Sequence, residues 1–351
     1  MLFSPNCVKV SGMDFTEFLE KYARIIDLRL EEVLGESSTL VNKASPELKK
    51  IFDEFANSSR GGKRIRGALV LLGYQIGGGR EVEKVVDGAV AFEIFQTSIL
   101  AQDDVIDKSI TRRAKPSLYS ALGGDGRAIA QAICLSDLGF FNAYRLFSNL
   151  KIEDALKVKA INFFSQTLSQ TVLGEMLDIE TPFLQREFQD EDALRIALLK
   201  TARYTISGPL MMGALLAGAP AEKLKQLQVF GDNLGIGFQI QDDILGVFGD
   251  EKVTGKSSIS DIKECKATLL IAFAQKKGNE KQKEILEKYY GDKEIGETEA
   301  EEVRTVFKET GSLGYAKLQA EKYFSKACES LKGVEEGLLY SLVKYVQERK
   351  A

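Results

Sequence analysis

Residues 91–113, AFEIFQTSILAQDDVIDKSITRR, begin as an apolar helix, continue through three aspartates and end in two arginines. Asp103 and Asp107 are four residues apart, so a helix places both carboxylates on one face, one turn from each other. Asp104 points roughly 100° away from Asp103. Two carboxylates on one turn without a neighbouring cation repel each other. The cluster therefore predicts either a solvated helix end or a site for a hard divalent cation such as Mg²⁺.

The composition excludes several classes of protein. Of 351 residues, 44% are hydrophobic and 28% are charged, which is typical of a globular chain with room for one large domain or two ordinary ones. The formal net charge of −4 argues against nucleic acid or an anionic membrane as a general partner. Because the chain has no histidine, its chemistry cannot use imidazole-ligated zinc, histidine-activated nucleophiles or a histidine base.

The cysteines and the apolar segments indicate a cytoplasmic protein. Cys7, Cys134, Cys265 and Cys328 are scattered without CxxC spacing, as expected of free thiols in a reducing cytosol. The N-terminus lacks the basic region and apolar core of a signal peptide. The longest apolar run, residues 208–221, is about fourteen residues long, too short to span a bilayer, and predicts a buried helix.

Hydrophobic residues recur with the helical period along nearly the whole chain. Residues 114–126 are rich in Gly, Pro and Ser and predict a loop with a short turn. The predicted helices are 14–34, 46–56, 63–76, a long helix opening at Glu81 or Glu83, 127–148, 152–180, 191–216, 221–247, 261–277, 280–290, 298–332 with a break near Gly311, and 334–349. Ser45 is the predicted N-cap of the second helix, with Pro46 at its first position. Since no run alternates with period two over a useful length, we predict one all-α domain, residues 1–351, whose helices surround a central cavity.

A second acidic cluster follows another apolar helix. Asp242 and Asp243 precede a glycine-rich loop that contains Lys256, but Gly246 stands four residues after Asp242, and Asp250 lies one turn further. If the two acidic helix ends face each other across a cavity, they can hold several Mg²⁺ ions and grip a diphosphate. The alternative is a pair of unrelated surface helix ends.

Basic residues accompany both acidic clusters. Residues 60–66, RGGKRIR, form a glycine turn that leads into a predicted helix, with Lys63 and Arg66 on one face. Glycines let the backbone approach an anion, and a helix N-terminus adds positive potential. The basic residues that follow the two acidic clusters are Arg112, Arg113, Lys256 and Lys266. Guanidinium groups bind phosphate oxygens bidentately, so an anion site is expected beside the metal site.

Five motifs between about Gly61 and Leu270 resemble, in order, those of one family. They are GGKRIRG at 61–67, DDVIDKSITRR at 103–113, Lys200-Thr201, Phe238-Gln239 with Asp242-Asp243, and Thr254-Gly255-Lys256 with Asp261 and Lys266. They resemble the GGKRxRP, first aspartate-rich, KT, FQ with second aspartate-rich, and TGK…D…K motifs of the trans-isoprenyl diphosphate synthases, or polyprenyl synthetases. A terpene cyclase shares the first motif, but its Asn/Ser/Glu triad is missing here.

The resemblance implies the α-helical isoprenoid synthase fold, a homodimer, and head-to-tail condensation of isopentenyl diphosphate with an allylic diphosphate. It implies three Mg²⁺ ions, ligated by Asp103, Asp107 and Asp242, with Asp104 and Asp243 beside or behind them. The implied ligands of the allylic diphosphate are Arg112, Lys200 and Lys256, and those of isopentenyl diphosphate are Lys63, Arg66, Gln96 and Arg113. The resemblance implies Lys266 as a further substrate-binding residue. The oxygens implied to stabilise the allylic cation are those of Thr201, Gln239 and the Lys200 carbonyl.

The chain departs from the family pattern at several positions. Gln96 and Gln102 replace frequent histidines, Gly67 replaces proline, Cys265 replaces glycine, and Gly246 replaces the last acid of the second aspartate-rich motif. Gln96 cannot be a cation, so we expect weaker binding of isopentenyl diphosphate. A weakly active or regulatory subunit of a heteromeric prenyl diphosphate synthase is the alternative function.

Three residues before the first aspartates are expected to set the product length. In a helix, the side chains four, five and eight residues before Asp103 point down the cavity in which the product grows. Ser98 and Ile99 are not aromatic, so they should not stop growth at farnesyl diphosphate, whereas Phe95 could form a floor. We therefore predict geranylgeranyl diphosphate, a C20 product, or a slightly longer one, from a dimethylallyl, geranyl or farnesyl primer.

Overall fold

The structure is a computed structural model that describes residues 13–249, 258–331 and 337–348. The chain divides into two compact units. The first unit comprises Met13–Ser165 and Gly208–Leu227, and the second comprises Gln166–Ser207 and the described residues from 228 onward. The single domain expected over residues 1–351 stays a prediction.

Helices account for nearly all the regular structure in these residues, as the periodicity predicts. The α-helices are α1 Phe15–Ala44, α2 Pro46–Ser59, α3 Ile65–Ile76, α4 Val86–Ile106, α5 Leu118–Ala121, α6 Gly126–Ser148, α7 Asp154–Glu180, α8 Asp190–Ile196, α9 Gly208–Leu216, α10 Ala221–Phe248, α11 Ser260–Lys263, α12 Leu269–Lys277, α13 Glu280–Tyr289, α14 Glu297–Glu309, α15 Ser312–Ser330 and α16 Gly337–Gln347. A π-helix spans Ala197–Ser207, and 3₁₀ turns lie at Val82–Lys84 and Thr181–Phe183. Strands β1, Thr111–Arg112, and β2, Lys115–Pro116, form a short antiparallel ladder.

Local capping explains where the first helices begin. The Asp14 side chain accepts from the Glu17 N–H, and the Glu17 side chain accepts from the Asp14 N–H, which is a capping box that opens α1. Ser45 caps α2, and Pro46 occupies its first turn, as the sequence predicts. The α1 helix continues past the predicted Leu34 to Ala44, so its C-terminus lies directly before the Ser45 cap.

Three predicted helices are interrupted. The segment predicted as one helix over 191–216 is divided into α8, the π-helix and α9. Within the π-helix, Arg203 donates to Gln170 and Ser207 donates to Asp232, both on other helices. The segment predicted over 261–277 is divided at Cys265, which has a φ of 57°, and restarts at the N-cap Thr268. Gly311, with a φ of 80°, separates α14 from α15 at the expected break.

Helix α4 is anchored in the core of the first unit. It packs on α6 and α3. The Phe164 ring lies 5.2 Å from Phe92, 5.8 Å from Phe95 and 4.8 Å from Phe147, measured between ring centroids. Burying one such side chain contributes about 1.5–3 kcal/mol. The acidic end of α4 is thus carried by a helix held along its length.

The apolar run at 208–221 contains α9, which is largely buried as the sequence predicts. No helix in the described ranges combines the length and apolarity needed to cross a membrane.

Candidate active site

A Schellman motif ends α4 and fixes the backbone position of Asp107 relative to Asp103. The Ser109 N–H donates to the Asp104 carbonyl at 2.9 Å, and the Lys108 N–H donates to the Val105 carbonyl at 3.4 Å. Lys108 takes the left-handed conformation that this cap requires, with a φ of 53°. Asp107 remains near-helical, with φ −79° and ψ −4°, so it stays one turn from Asp103.

Arg112 lies against the first acidic cluster. Its Nη2 is 2.7 Å from Asp103 Oδ2 and 2.5 Å from Asp104 Oδ1, and its Nε donates to Asp104 Oδ1 at 2.9 Å. Burial opposes the charge, but Asp103 and Asp104 raise the pKa of Arg112 above its ordinary value. The chain returns through β1 and brings Arg112 to the cluster, so a cation offsets the repulsion between these carboxylates.

The turn between β1 and β2 presents the second arginine. Arg113 and Ala114 have φ values of 55° and 57°, the left-handed pair that a two-residue hairpin turn needs. The Arg113 Nη1 lies 3.3 Å from the place where a Gly62 Cβ would be. Desolvation and the charge of Arg66 lower the pKa of Arg113, while Glu93 opposes them. Arg66 and Arg113 therefore form a repelling cationic pair that a bound anion would stabilise.

The basic motif at 60–66 differs from the prediction. Helix α3 begins at Ile65, so Lys63 precedes the helix and is exposed instead of sharing a helical face with Arg66. Arg64 adopts a left-handed conformation and is buried. Its Nε is 2.5 Å from Asp27 Oδ1, and its Nη1 donates to the Ser59 carbonyl at 2.9 Å. A buried guanidinium needs such partners, and they direct Arg64 inward.

Gly67 stands where proline is usual in the family, and its backbone N–H makes a hydrogen bond that proline could not make. It donates to Glu93 Oε1 at 2.8 Å. Glu93 is buried, and its other oxygen lies 3.6 Å from Arg64 Nη1. A Cβ at Gly67 would lie 2.9 Å from Ile26 Cδ1. The absence of a side chain allows α3 to approach α1 and α4. The Gly67 N–H, which a proline would lack, supplies a hydrogen bond to the buried Glu93 carboxylate.

The three residues predicted to set product length are buried on α4. Phe95 packs against Phe140 and Phe164, with centroid distances of 5.6 Å and 5.8 Å. Ser98 lies against Gly139, where an added Cβ would be 2.0 Å from the Ser98 Oγ. The Ser98 carbonyl accepts a hydrogen bond from the Ser136 hydroxyl at 2.8 Å. Ile99 is also buried, and Gln96 is half-buried. Their role in product length stays a prediction.

In the second unit, Lys200 and Thr201 lie in the π-helix. The Thr201 hydroxyl donates to Gln239 Oε1 at 2.6 Å, and Gln239 Nε2 donates to Asp243 Oδ1 at 2.7 Å. This chain of hydrogen bonds orients the amide of Gln239 on α10. Burial raises the pKa of the Asp243 carboxyl well above its usual value, against the hydrogen bond from Gln239, and Asp261 and Asp242 raise it further. The structure thus brings together three residues from two predicted motifs.

Two acidic residues that the sequence analysis did not single out lie beside the lysines. Lys200 Nζ is 2.8 Å from Glu175 Oε2 and 2.7 Å from Asp178 Oδ2, and Lys266 Nζ is 3.1 Å from the same Asp178 oxygen. Burial works against ionisation of Asp178, but Lys200 and Lys266 lower its pKa. The signal available was GEMLD at 174–178, two acids three residues apart in an apolar helix.

The second aspartate-rich motif ends α10. Asp242 and Asp243 are half-buried near the end of that helix. A Cβ on Gly246 would lie 1.9 Å from Asp261 Oδ2, so the Asp261 carboxylate occupies the space of a side chain at 246. An acid therefore lies where the family motif has its last aspartate. Asp250 and Lys256 lie outside the described residues.

The carboxylates suit a metal that also binds substrate. Within residues 13–249, 258–331 and 337–348, no group of three or more His, Cys, Asp or Glu residues could hold a metal ion by itself. Mg²⁺ usually takes one or two carboxylates and completes its octahedral shell with waters and phosphate oxygens. Asp103 with Asp107 in the first unit, and Asp242 in the second, fit this role.

Comparison with known proteins identifies the family. Residues 45–310 match the polyprenyl synthetase family. The geranylgeranyl diphosphate synthase of Sulfolobus acidocaldarius is 33% identical over 277 residues, which cover 78% of this chain and 81% of that protein. The geranylfarnesyl diphosphate synthase of Aeropyrum pernix is 32% identical over 302 residues, covering 82% and 91% of the two chains.

Solved structures agree with this result. The geranylgeranyl pyrophosphate synthase of Corynebacterium glutamicum, crystallised with isoprenyl diphosphate and magnesium, superposes with a TM-score of 0.88 at 25% identity, covering 96% of this chain and all of that one. The resemblance drawn from the five motifs is thereby confirmed. The chain belongs to the polyprenyl synthetase family and is a trans-prenyltransferase with the all-α isoprenoid synthase fold.

Proposed function

We propose that this enzyme condenses isopentenyl diphosphate head-to-tail with an allylic diphosphate to give a trans-polyprenyl diphosphate. The observation that carries the proposal is the juxtaposition, in the first unit, of Asp103 and Arg112 within one ion-paired group at the end of α4. Beside it, Arg66 and Arg113 form a cationic pair. Carboxylates for a cation next to guanidinium groups for an anion are what a metal–diphosphate substrate requires.

We propose Mg²⁺ as the cofactor, three ions per active site, ligated by Asp103, Asp107 and Asp242 together with diphosphate oxygens. The magnesium named in the related crystal structure supports this choice. Bound there, Mg²⁺ would stabilise the negative charge that develops on the leaving diphosphate. Arg112, Lys200 and Lys256 bind the allylic diphosphate, and Lys266 contributes to the same site.

The side chains of the protein then direct the reaction. The allylic C–O bond breaks, and the diphosphate leaves with the electron pair. The Thr201 hydroxyl and the Gln239 amide oxygen, held together at 2.6 Å, offer partial negative charge to the allylic cation without attacking it. The isopentenyl double bond, held through Lys63, Arg66, Gln96 and Arg113, forms the new C–C bond. The proton lost in the last step goes to the departed diphosphate.

We propose geranylgeranyl diphosphate, C20, as the product, with Phe95 as the floor of the cavity beneath Ser98 and Ile99. The names of similar proteins include both geranylgeranyl and geranylfarnesyl diphosphate synthases. The support for a floor is the packing of Phe95 between Phe140 and Phe164, which leaves its ring little freedom to withdraw.

We further propose a homodimer. In the second unit, α7 and the 3₁₀ turn after it expose an apolar stripe, with side chains between 41% and 76% exposed. The stripe consists of Val172, Leu173, Met176, Ile179 and Phe183. Their spacing places them along one side of a helix, and an apolar stripe of this length typically marks a protein interface. A second copy of the chain is the partner that the family resemblance implies.

A cytoplasmic location is also proposed. Cys134 and Cys265 are free thiols within the described residues, which supports a reducing compartment. Cys7 lies outside the described residues.

The test is incubation of the purified protein with Mg²⁺, isopentenyl diphosphate and primers of increasing length. We expect condensation with at least one allylic primer, a C20 product, and loss of activity with EDTA that Mg²⁺ restores. Absence of activity with every primer would refute the proposal. Activity that appears only when a related synthase subunit is added would support the alternative, a regulatory subunit.

A further inference from the structure

Helix α7 approaches the π-helix closely at Gly174. A Cβ at this position would lie 2.2 Å from the Lys200 backbone nitrogen and 2.6 Å from its Cα. Such distances leave no room for a side chain, so the contact requires glycine. The approach brings the next turn of α7, which carries Glu175 and Asp178, directly to the Lys200 side chain.

The two carboxylates lie deeper than the lysines that they contact. The side chains of Glu175 and Asp178 are 10% and 7% exposed, whereas those of Lys200 and Lys266 are 21% and 20% exposed. The lysine side chains are therefore more accessible to solvent than the acids that they contact. Because Asp178 Oδ2 contacts both ammonium groups, the two cations are also close neighbours.

We propose that Glu175 and Asp178 are positioning residues that hold Lys200 and Lys266 as a preorganised pair of cations for the allylic diphosphate. The proposal rests on the proposed function, since it assigns a purpose to the two lysines of that site. A lysine has a long flexible stem, and fixing its ammonium before the substrate arrives removes an entropic cost of binding.

A positioning role for Asp178 and a simple effect of its charge predict opposite results for Asp178→Asn. Asp178→Asn retains the shape of the side chain but removes a negative charge beside two cations. If only net charge mattered, the variant would bind a diphosphate more tightly. If Asp178 positions the lysines, binding weakens because the charge-assisted hydrogen bonds that hold them are lost. Asp178→Glu retains the charge but moves the carboxylate, so positioning predicts weaker binding there too.

The experiment measures binding of inorganic pyrophosphate in the presence of Mg²⁺ by titration calorimetry, for the full-length wild type, Asp178→Asn and Asp178→Glu. Steady-state kinetics give KM for the allylic and isopentenyl diphosphates separately. Asp87→Asn is the matched control, since Asp87 pairs with Arg29 at 2.6 Å at the start of α4. Asp87→Asn measures how much the loss of an ion pair between two helices, away from the lysines, lowers the stability of the fold.

We expect both Asp178 variants to bind pyrophosphate about ten-fold more weakly and to raise KM for the allylic diphosphate by a similar factor, with KM for isopentenyl diphosphate nearly unchanged. Asp87→Asn should change thermal stability but neither pyrophosphate affinity nor either KM. Tighter binding by Asp178→Asn, or wild-type binding by both variants, would overturn the proposal. If the wild type does not condense the substrates, the proposed function fails, while the pyrophosphate series still decides whether Asp178 positions the lysines.

Discussion

Arg112 contacts Asp103 and Asp104, the carboxylates nine and eight residues before it. These ion pairs satisfy a half-buried guanidinium. In the proposed site, Asp103 would hold the metal in place of the guanidinium, and Arg112 would bind phosphate oxygens in place of the carboxylate. Charges of both signs thus remain compensated before and after binding, so the exchange avoids leaving a buried charge unpaired.

Phe95→Ala should lengthen the products. Removal of the ring would open space below Ser98 and Ile99, at a cost of about 3–5 kcal/mol in stability. Product length is read by thin-layer chromatography after dephosphorylation. Phe147→Ala is the control, because it removes a ring from the same Phe164 cluster but on α6, and it should lower stability without longer products. An unchanged product spectrum for Phe95→Ala would refute Phe95 as the floor.

Gly246→Ala should lower kcat/KM by about ten-fold or more, since the added methyl group would lie 1.9 Å from Asp261 Oδ2 and displace that carboxylate. The Asp261 carbonyl also accepts from the Lys266 N–H at 3.1 Å, so the lysine would be disturbed as well. Steady-state kinetics and a Mg²⁺ titration measure the effect. Gly314→Ala is the control, because a Cβ there meets nothing within 4 Å. Equal activity of the two variants would show that Asp261 does not serve the reaction.

The C-terminus of α4 is the element on which the first acidic cluster depends. Its Schellman motif usually takes glycine at the left-handed position, and here Lys108 occupies it. The left-handed conformation costs a lysine roughly 1–2 kcal/mol, partly offset by the greater chain entropy that glycine loses on folding. The cap therefore stores strain directly after Asp107.

Lys108→Gly should raise the free energy of unfolding by about 0.5–1 kcal/mol, a rise of roughly 1–4 °C in Tm. Differential scanning fluorimetry measures it. In the control, Lys322→Gly, glycine replaces an exposed lysine inside α15 and should destabilise by about 1 kcal/mol. Destabilisation by Lys108→Gly would contradict the strain argument.

The π-helix is the element that carries the Lys200–Thr201 pair. Side chains of other helices hold it, because Arg203 Nη1 donates to Gln170 Oε1 at 2.9 Å and the Ser207 hydroxyl donates to Asp232 Oδ1 at 2.6 Å. π-helical turns are costly and occur mostly at functional sites. The contacts with Gln170 and Asp232 offset part of that cost. The Lys200 side chain is held by Glu175 and Asp178, and that of Thr201 by Gln239.

At the scale of the whole molecule, association through α7 can be tested. Met176→Glu introduces a charge in the middle of the exposed apolar stripe, so it should convert a dimer to a monomer in sedimentation velocity experiments. Leu318→Glu is the control, since Leu318 is exposed but lies on another helix, α15. A wild type that is already monomeric, or a Met176→Glu variant that remains dimeric, would refute this interface.

Much of the fold and part of the site could be predicted from local patterns. Helical periodicity identified most of the helices, and the Ser45-Pro46 cap and the Gly311 break were correct, because these features depend on neighbouring residues alone. The π-helix and the restart at Thr268 could not be predicted in this way, since hydrogen bonds to distant helices and a left-handed Cys265 produce them. The same limit applies to Lys63, whose place depends on the buried partners of Arg64.

The sequence by itself determined the class of this protein, because residue type and spacing define its motifs: paired aspartates, trailing arginines, the KT and FQ pairs and the lack of histidine. Only the tertiary structure decided which charges meet. Arg112 turns back to Asp103 and Asp104, Asp261 occupies the space beside Gly246, and Glu175 with Asp178 holds Lys200 and Lys266. The physical reason is that these ion pairs and close contacts form between residues on different elements, and their distances follow from packing, which no local pattern encodes.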